Sequence, residues 1–182
     1  AQGETDLRKS VEASKHRRGD SVIATALDLL EAVLSGWFDG GHLAPPCNTF
    51  SQLLFKRMNS KDHGPVPVRD RNNPWGFPNL VGKNKLRLEV GSWLLRVALA
   101  VGEALALVDS TASLEHPADP EEEPYPSIWQ LNETSKMERA LSPRLPTRKF
   151  RRIYLDQCMY SGTSQKPTTV TINCEKGNDL SR

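Results

Sequence analysis

Gly41-His42-Leu43-Ala44-Pro45-Pro46-Cys47-Asn48-Thr49-Phe50-Ser51 decides how this chain is read. A short run that can end a buried strand passes directly into a Pro-Pro step and then a cysteine. Proline restricts φ to about −65°, so the loop is partly rigid and can hold a sulfur toward a ligand. That is where a nucleophile sits. The ordinary alternative is a small core hydrophobe, since free cysteine is among the most buried residue types. The flanking sequence bears on the choice.

Upstream, residues 1 to 19 are polar, without apolar periodicity, and read as a mobile lead-in. Asp20 can cap a helix whose apolar positions Ile23, Leu27, Leu30 and Leu34 recur at helical spacing, and Gly36 supplies its stop. Downstream, residues 56 to 82 hold Gly64, Pro65, Pro67, Pro74, Gly76 and Pro78, which predicts a long irregular loop. Within it Arg69, Arg71 and Trp75 combine cations with an aromatic ring, a pattern suited to gripping a nucleic-acid strand; the alternative is a Trp that pins the loop to the domain.

A second helix is predicted from about Lys83 to Ala106, with Leu86, Val90, Trp93, Leu94, Val97 and Val101 on its buried side. An extended stretch then ends at Leu114-Glu115-His116-Pro117, where proline forces the chain out of regular structure. An acidic loop follows over 118 to 126, and Ser135-Lys136-Met137-Glu138 has the form of a capping box opening a short helix. Phe150 to Asp156 and Thr168 to Asn173 read as strands of a hairpin, leaving residues 176 to 182 as a tail.

Composition is that of a globular protein, with 37% hydrophobic and 25% charged residues in 182. The apolar run Trp93 to Val108 is short for a bilayer span and carries Arg96 and Glu103, so no membrane association is expected. Cys47, Cys158 and Cys174 lie far apart, with no CxxC pair and no clustered histidines. This argues against a disulfide framework and a structural metal site, and fits an intracellular, nuclear or cytoplasmic setting. The net charge of +2 hides an asymmetry: residues 103 to 133 hold eight acidic residues and no Lys or Arg, whereas Arg144, Arg148, Lys149, Arg151 and Arg152 cluster further on. Clustered guanidinium groups suit a phosphate backbone, which makes DNA a candidate partner, although such a cluster is commonly just a solvated face.

Strands separated by helices imply a largely parallel sheet, and ligands of such sheets bind beyond the carboxyl ends of the strands. The Cys47 string, the Glu115 string and the string Gln157 to Thr168 would all lie along that rim. Together they resemble cytosine-C5 DNA methyltransferases: Pro46-Cys47-Asn48-Thr49-Phe50-Ser51 is similar to that family's Pro-Cys-x-x-Phe-Ser signature, and Leu114 to Pro117 looks like a variant of its Glu-Asn-Val motif. The string Asp156-Gln157-Cys158-Met159-Tyr160-Ser161-Gly162, with Gln165-Lys166-Pro167-Thr168, is similar to the third motif of divergent relatives in phages and mobile elements, which also carry a Pro-Trp-Gly segment like Pro74-Trp75-Gly76.

The resemblance implies an α/β fold with a partial Rossmann-like methyltransferase sheet, mostly parallel with a C-terminal antiparallel hairpin, over residues 20 to 175. It implies Cys47 as nucleophile and Glu115 as its acid partner. Pro46, Ser51, Gln157 and Lys166 would contact the substrate base or its phosphates, and S-adenosylmethionine would be the methyl donor. The family's opening strand and Phe-x-Gly-x-Gly turn are missing from residues 1 to 20, which hold only Gly3 and Gly19, and an N-terminally truncated member is the expectation. Two alternatives stand beside it. One is an amino-methyltransferase that stacks a base on Ala44 to Cys47, and the other is a non-catalytic nucleic-acid-binding module of a mobile element using the basic segments.

Overall fold

The computed structural model describes residues 20–56, 65–156 and 167–174. Helix α1 spans Asp20–Leu34, strand β1 Gly40–Leu43, helix α2 Gly82–Leu107, strand β2 Thr111–Pro117, helix α3 Asn132–Glu138, strand β3 Lys149–Asp156 and strand β4 Pro167–Cys174. Short 3-10 turns at Gln52–Phe55 and Ile128–Gln130 complete the order.

α1 stops where glycine allows it. Gly36 adopts φ +75°, its N–H donates to the Val33 carbonyl, and the Trp37 N–H reaches back to Ala32, so two orphan carbonyls of the last turn are satisfied. α2 is long and apolar enough by length and composition to cross a membrane, yet half of its most apolar window is buried inside the fold. Its buried side runs through Gly91, Leu95, Leu99, Ala100, Val101, Ala104 and Leu105. Leu86 and Val90, expected on that side, are 54% and 50% exposed. In the first turns of α2 the inward side is instead carried by Leu88, whose side chain lies against Gly76, and by Gly91, which lies against Thr49.

The sheet has the order β1-β2-β4-β3. β1 and β2 are parallel, with Leu43 opposite Leu114, while β4 is antiparallel to both β2 and β3. The expectation of a mostly parallel sheet is thereby corrected. The C-terminal hairpin is present, but its second strand inserts between β2 and β3 and turns two of the three pairings antiparallel. The short third helix is also shifted: α3 begins at Asn132, so Ser135 lies inside it and does not cap it.

Opposed residues share a face of a sheet, and alternation along each strand sorts the rest. Ala112, Leu114 and His116 of β2 therefore face the helices together with Thr169, Thr171 and Asn173 of β4 and Phe150 and Arg152 of β3. α1 and α2 close over Ala112 in one apolar cluster, and α2 and α3 over Leu114 in a second, with Phe150 touching both. All three described helices thus gather on one side. The other face carries His42, Ser113, Glu115, Val170, Ile172, Arg151, Ile153 and Leu155.

At the end of the sheet away from Cys47 the strands are tied by a buried amide. Asn173 Oδ1 accepts from the Ala112 N–H at 2.7 Å, and its Nδ2 donates to the Ser110 carbonyl at 3.0 Å. The Ser110 hydroxyl donates to the Phe38 carbonyl and the Thr111 N–H to Asp39, which brings β1 into the same corner. Gly40 is required by that approach, since a Cβ there would lie 2.8 Å from the Thr111 carbonyl oxygen. Replacing Asn173 by Ala orphans a buried donor and a buried acceptor, and is expected to cost about 2–4 kcal/mol in urea unfolding.

Candidate functional site

The parallel pairing of β1 and β2 carries both chains to the same edge of the sheet, where Ala44 leaves beside Glu115, one step beyond the Leu43–Leu114 pair. β3 points the same way, with Asp156 opposite Pro167 and Thr168 opposite Pro117. The carboxyl ends of β1, β2 and β3 therefore share one rim. The third string is bracketed there by Asp156 and Pro167, while Gln157 and Lys166 themselves lie outside the described residues.

Cys47 sits half-buried in the loop after β1 with its thiol unbridged, and its carbonyl accepts the Phe50 N–H at 2.9 Å in a tight turn. Pro46 and Asn48 on either side of it are exposed, whereas Thr49 and Phe50 are sealed from solvent. The Ser51 hydroxyl accepts from the Leu53 N–H at 3.3 Å, so it caps the following 3-10 turn. The loop is pinned to β2 through Phe50, whose ring meets the buried His116 edge to face at 5.1 Å. Strand alternation turns the half-buried Glu115 to the opposite face of the sheet from His116. The Trp129 indole donates to the Pro117 carbonyl at 2.7 Å and fixes where β2 ends.

Behind the loop lies Arg69, expected from the sequence to grip nucleic acid and here fully buried. Its guanidinium donates to the Pro74 carbonyl at 2.7 Å and to Ser92 Oγ at 3.1 Å, and lies 4.1 Å from the centroid of the Phe50 ring. Burial lowers its pKa to about 10, which leaves it charged at neutral pH. Arg69 cannot reach a phosphate from this position; it joins three segments.

The other predicted nucleic-acid contacts are redistributed in the same way. Arg71 pairs with Asp119 at 3.0 Å, and its N–H donates to the Pro124 carbonyl, so the acidic loop neutralises it. Trp75 packs against the second apolar cluster beneath the Arg96 guanidinium, 4.5 Å from its centroid, as a ring pinning the loop. Arg152 makes a two-pronged contact with Glu138 at 2.8 and 2.7 Å over the Trp129 ring; hydrogen bonding to Glu138 raises its pKa. Arg148 donates to the Asp109 carbonyl. Lys149 and Arg151 remain exposed, but they occupy the start of β3. Register sets Arg151 level with His42, but β2 and β4 stand between β1 and β3, so these two cations lie on the border of the sheet opposite the strand that leads to Cys47.

Sequence reasoning missed what lies beside the loop. A cleft of about 310 Å³ opens between Pro46 and Asn48 on one side and Lys83, Leu86, Arg87, Val90 and Gly91 of α2 on the other. The exposed Leu86 and Val90 are its apolar wall. Its signal was present as the i, i+4 pairs Lys83–Arg87 and Leu86–Val90 on adjoining stripes of α2. Among the described residues no cluster of His, Cys, Asp and Glu is arranged to hold a metal ion.

No family model, no curated protein and no solved structure matches this chain.

Replacing Arg69 by Ala is expected to cost about 3 kcal/mol or more, through lost hydrogen bonds and the cavity left behind. Arg69→Lys should recover little of it, because an ammonium cannot serve two divergent acceptors while lying flat on a ring. Urea unfolding of both variants measures this, and a fully stable lysine variant would refute the three-way bridge.

Proposed function

We propose that this chain is the base-engaging part of a cytosine-C5 DNA methyltransferase-like protein of the divergent mobile-element type, with a sheet of Rossmann-like ancestry, acting on nucleic acid inside the cell. The observation that carries the reading is that the parallel β1–β2 pair brings the exit of β1 toward Pro46-Cys47 and the Glu115 end of β2 to one rim, with the Glu115 side chain on the open face and Phe50 of the thiol loop on the helix face. The half-buried Cys47, unbridged on a proline-held loop, is the second support.

The chemistry asks for these groups. The Cys47 thiolate adds to carbon 6 of a flipped cytosine, and the electrons of the C5–C6 double bond move through the ring to N3, which takes a proton from the Glu115 carboxylic acid. Carbon 5 of the resulting enamine can accept a proton from water. Loss of the original C5 hydrogen, with expulsion of the thiolate and return of the N3 proton, regenerates cytosine carrying a solvent hydrogen. This cycle needs only the chain's own residues.

S-adenosylmethionine would supply the methyl group in the resembled family, and the described residues do not fit it. None of the described strands runs into a glycine turn and a helix ahead of β1. Gly40 and Gly41 are used against Thr111 and Leu105, and a Cβ at Gly82 would meet nothing within 4 Å. Hydrogen exchange at carbon 5 is the part of this chemistry that the described residues account for by themselves.

The test is cofactor-free exchange of the cytosine C5 hydrogen, followed as release of label from an oligonucleotide into water by the full chain. Exchange is expected with the wild type, absent with Cys47→Ala, and reduced about 10²-fold or more with Glu115→Gln. Exchange that persists in Cys47→Ala overturns the covalent reading. Binding without exchange assigns the chain to the non-catalytic class.

A further inference from the structure

We infer that the cleft between the Cys47 loop and the first turns of α2 is a nucleotide-phosphate subsite, seating one backbone phosphate of a nucleic-acid strand on Lys83 and Arg87 with its sugar and base against Pro46, Leu86 and Val90. The choice of a polymer as ligand rests on the function proposed above; the anion specificity rests on the cleft alone.

The lining holds two cationic side chains and no carboxylate. Glu89, the acidic residue of the same helical stretch, is directed to Lys85 at 3.9 Å. A third cation stands behind the floor: Arg69 Nη2 lies 3.8 Å from where a Cβ on Gly91 would sit, and Gly91 lines the cleft. Arg69 is sealed from water, and its guanidinium meets a carbonyl, a hydroxyl and a ring, so its field is weakly screened on the cleft side. Arg87 spends Nη2 on the Val66 carbonyl, while its Nε is buried without a hydrogen-bond partner among the described residues. The Thr49 hydroxyl, against Gly91, is likewise buried and unpartnered among them.

The remaining wall is apolar and exposed, which a phosphate alone would not require. Pro46, Leu86 and Val90 offer a surface for a ring or a sugar next to the cationic end, and the volume lies at the lower end of the range for small-ligand pockets. Cys47 adjoins two lining residues, Pro46 and Asn48. A phosphate held here would flank a base presented to the thiol.

The experiment is anisotropy titration of a short fluorescent single-stranded oligonucleotide with the full chain at several salt concentrations. Lys83→Glu should weaken binding about tenfold and flatten the slope of log K against log salt by about 0.7 to 1. A carboxylate in the first turn of α2 favours the helix, so the variant should fold; its urea midpoint verifies that. Leu86→Trp, which fills the cleft without changing charge, should weaken binding as well. Arg139→Glu, a charge reversal outside the cleft, should leave the affinity within about twofold.

Equal losses in Lys83→Glu and Arg139→Glu, or full affinity in Leu86→Trp, would overturn the subsite. Competition by inorganic phosphate as effective as by unlabelled oligonucleotide, counted per phosphate, would overturn the polymer as its ligand and leave a free anion. None of these variants touches Cys47 or Glu115. The subsite therefore stands or falls on binding, whereas the covalent chemistry stands or falls on exchange.

Discussion

A single buried guanidinium organises the rim of this molecule. Arg69 takes the carbonyl of Pro74 from the irregular loop, the hydroxyl of Ser92 from α2 and the ring of Phe50 from the thiol loop, and Phe50 in turn rests on His116 of β2. Burying a charge costs several kcal/mol, and the cost is offset only where its donors and its flat face find partners. Three chain segments acquire fixed positions by meeting that demand at Nη1, Nη2 and the flat face, while Nε is buried without a hydrogen-bond partner among the described residues. The turn that carries Cys47 is held by this arrangement as much as by its prolines.

Much of the fold was legible because it rests on local signals. The Gly36 stop, the span of the long helix, the strand ending at Pro117 and the β3–β4 hairpin all follow from glycine, proline and periodicity acting within a few residues. The order of strands was not legible. Nothing local tells β4 to pair with β2 as well as β3, and that one insertion makes the sheet mixed. The stripe of Leu86 and Val90 misled for a related reason: helical spacing marks an apolar side without saying whether protein or a cleft lies against it.

The basic segment shows the same limit for function. Arg151 and Arg152 are neighbours in sequence, yet alternation along β3 sends one to the open face and the other onto Trp129 and Glu138. Arg71 is drawn to Asp119 of the acidic loop, so these two opposite charges, far apart in sequence, cancel in space. Cationic density along a chain therefore overstated the cationic surface, and the cations beside the thiol came from Lys83 and Arg87, in a short basic run of α2 outside the 144–152 segment. The meeting of the strand ends was legible, because parallel strands with proline-terminated ends bring their exits together.

Within the described sheet β3 is a border strand, eight residues long and hydrogen-bonded on one side only. A border of that length is a template on which a further strand can grow, and unchecked growth leads to fibres. Lys149 and Arg151 stand exposed along it. A second molecule approaching edge to edge would have to bring like charges together, so the same two side chains that no longer belong to the thiol's surroundings act as a brake on self-association.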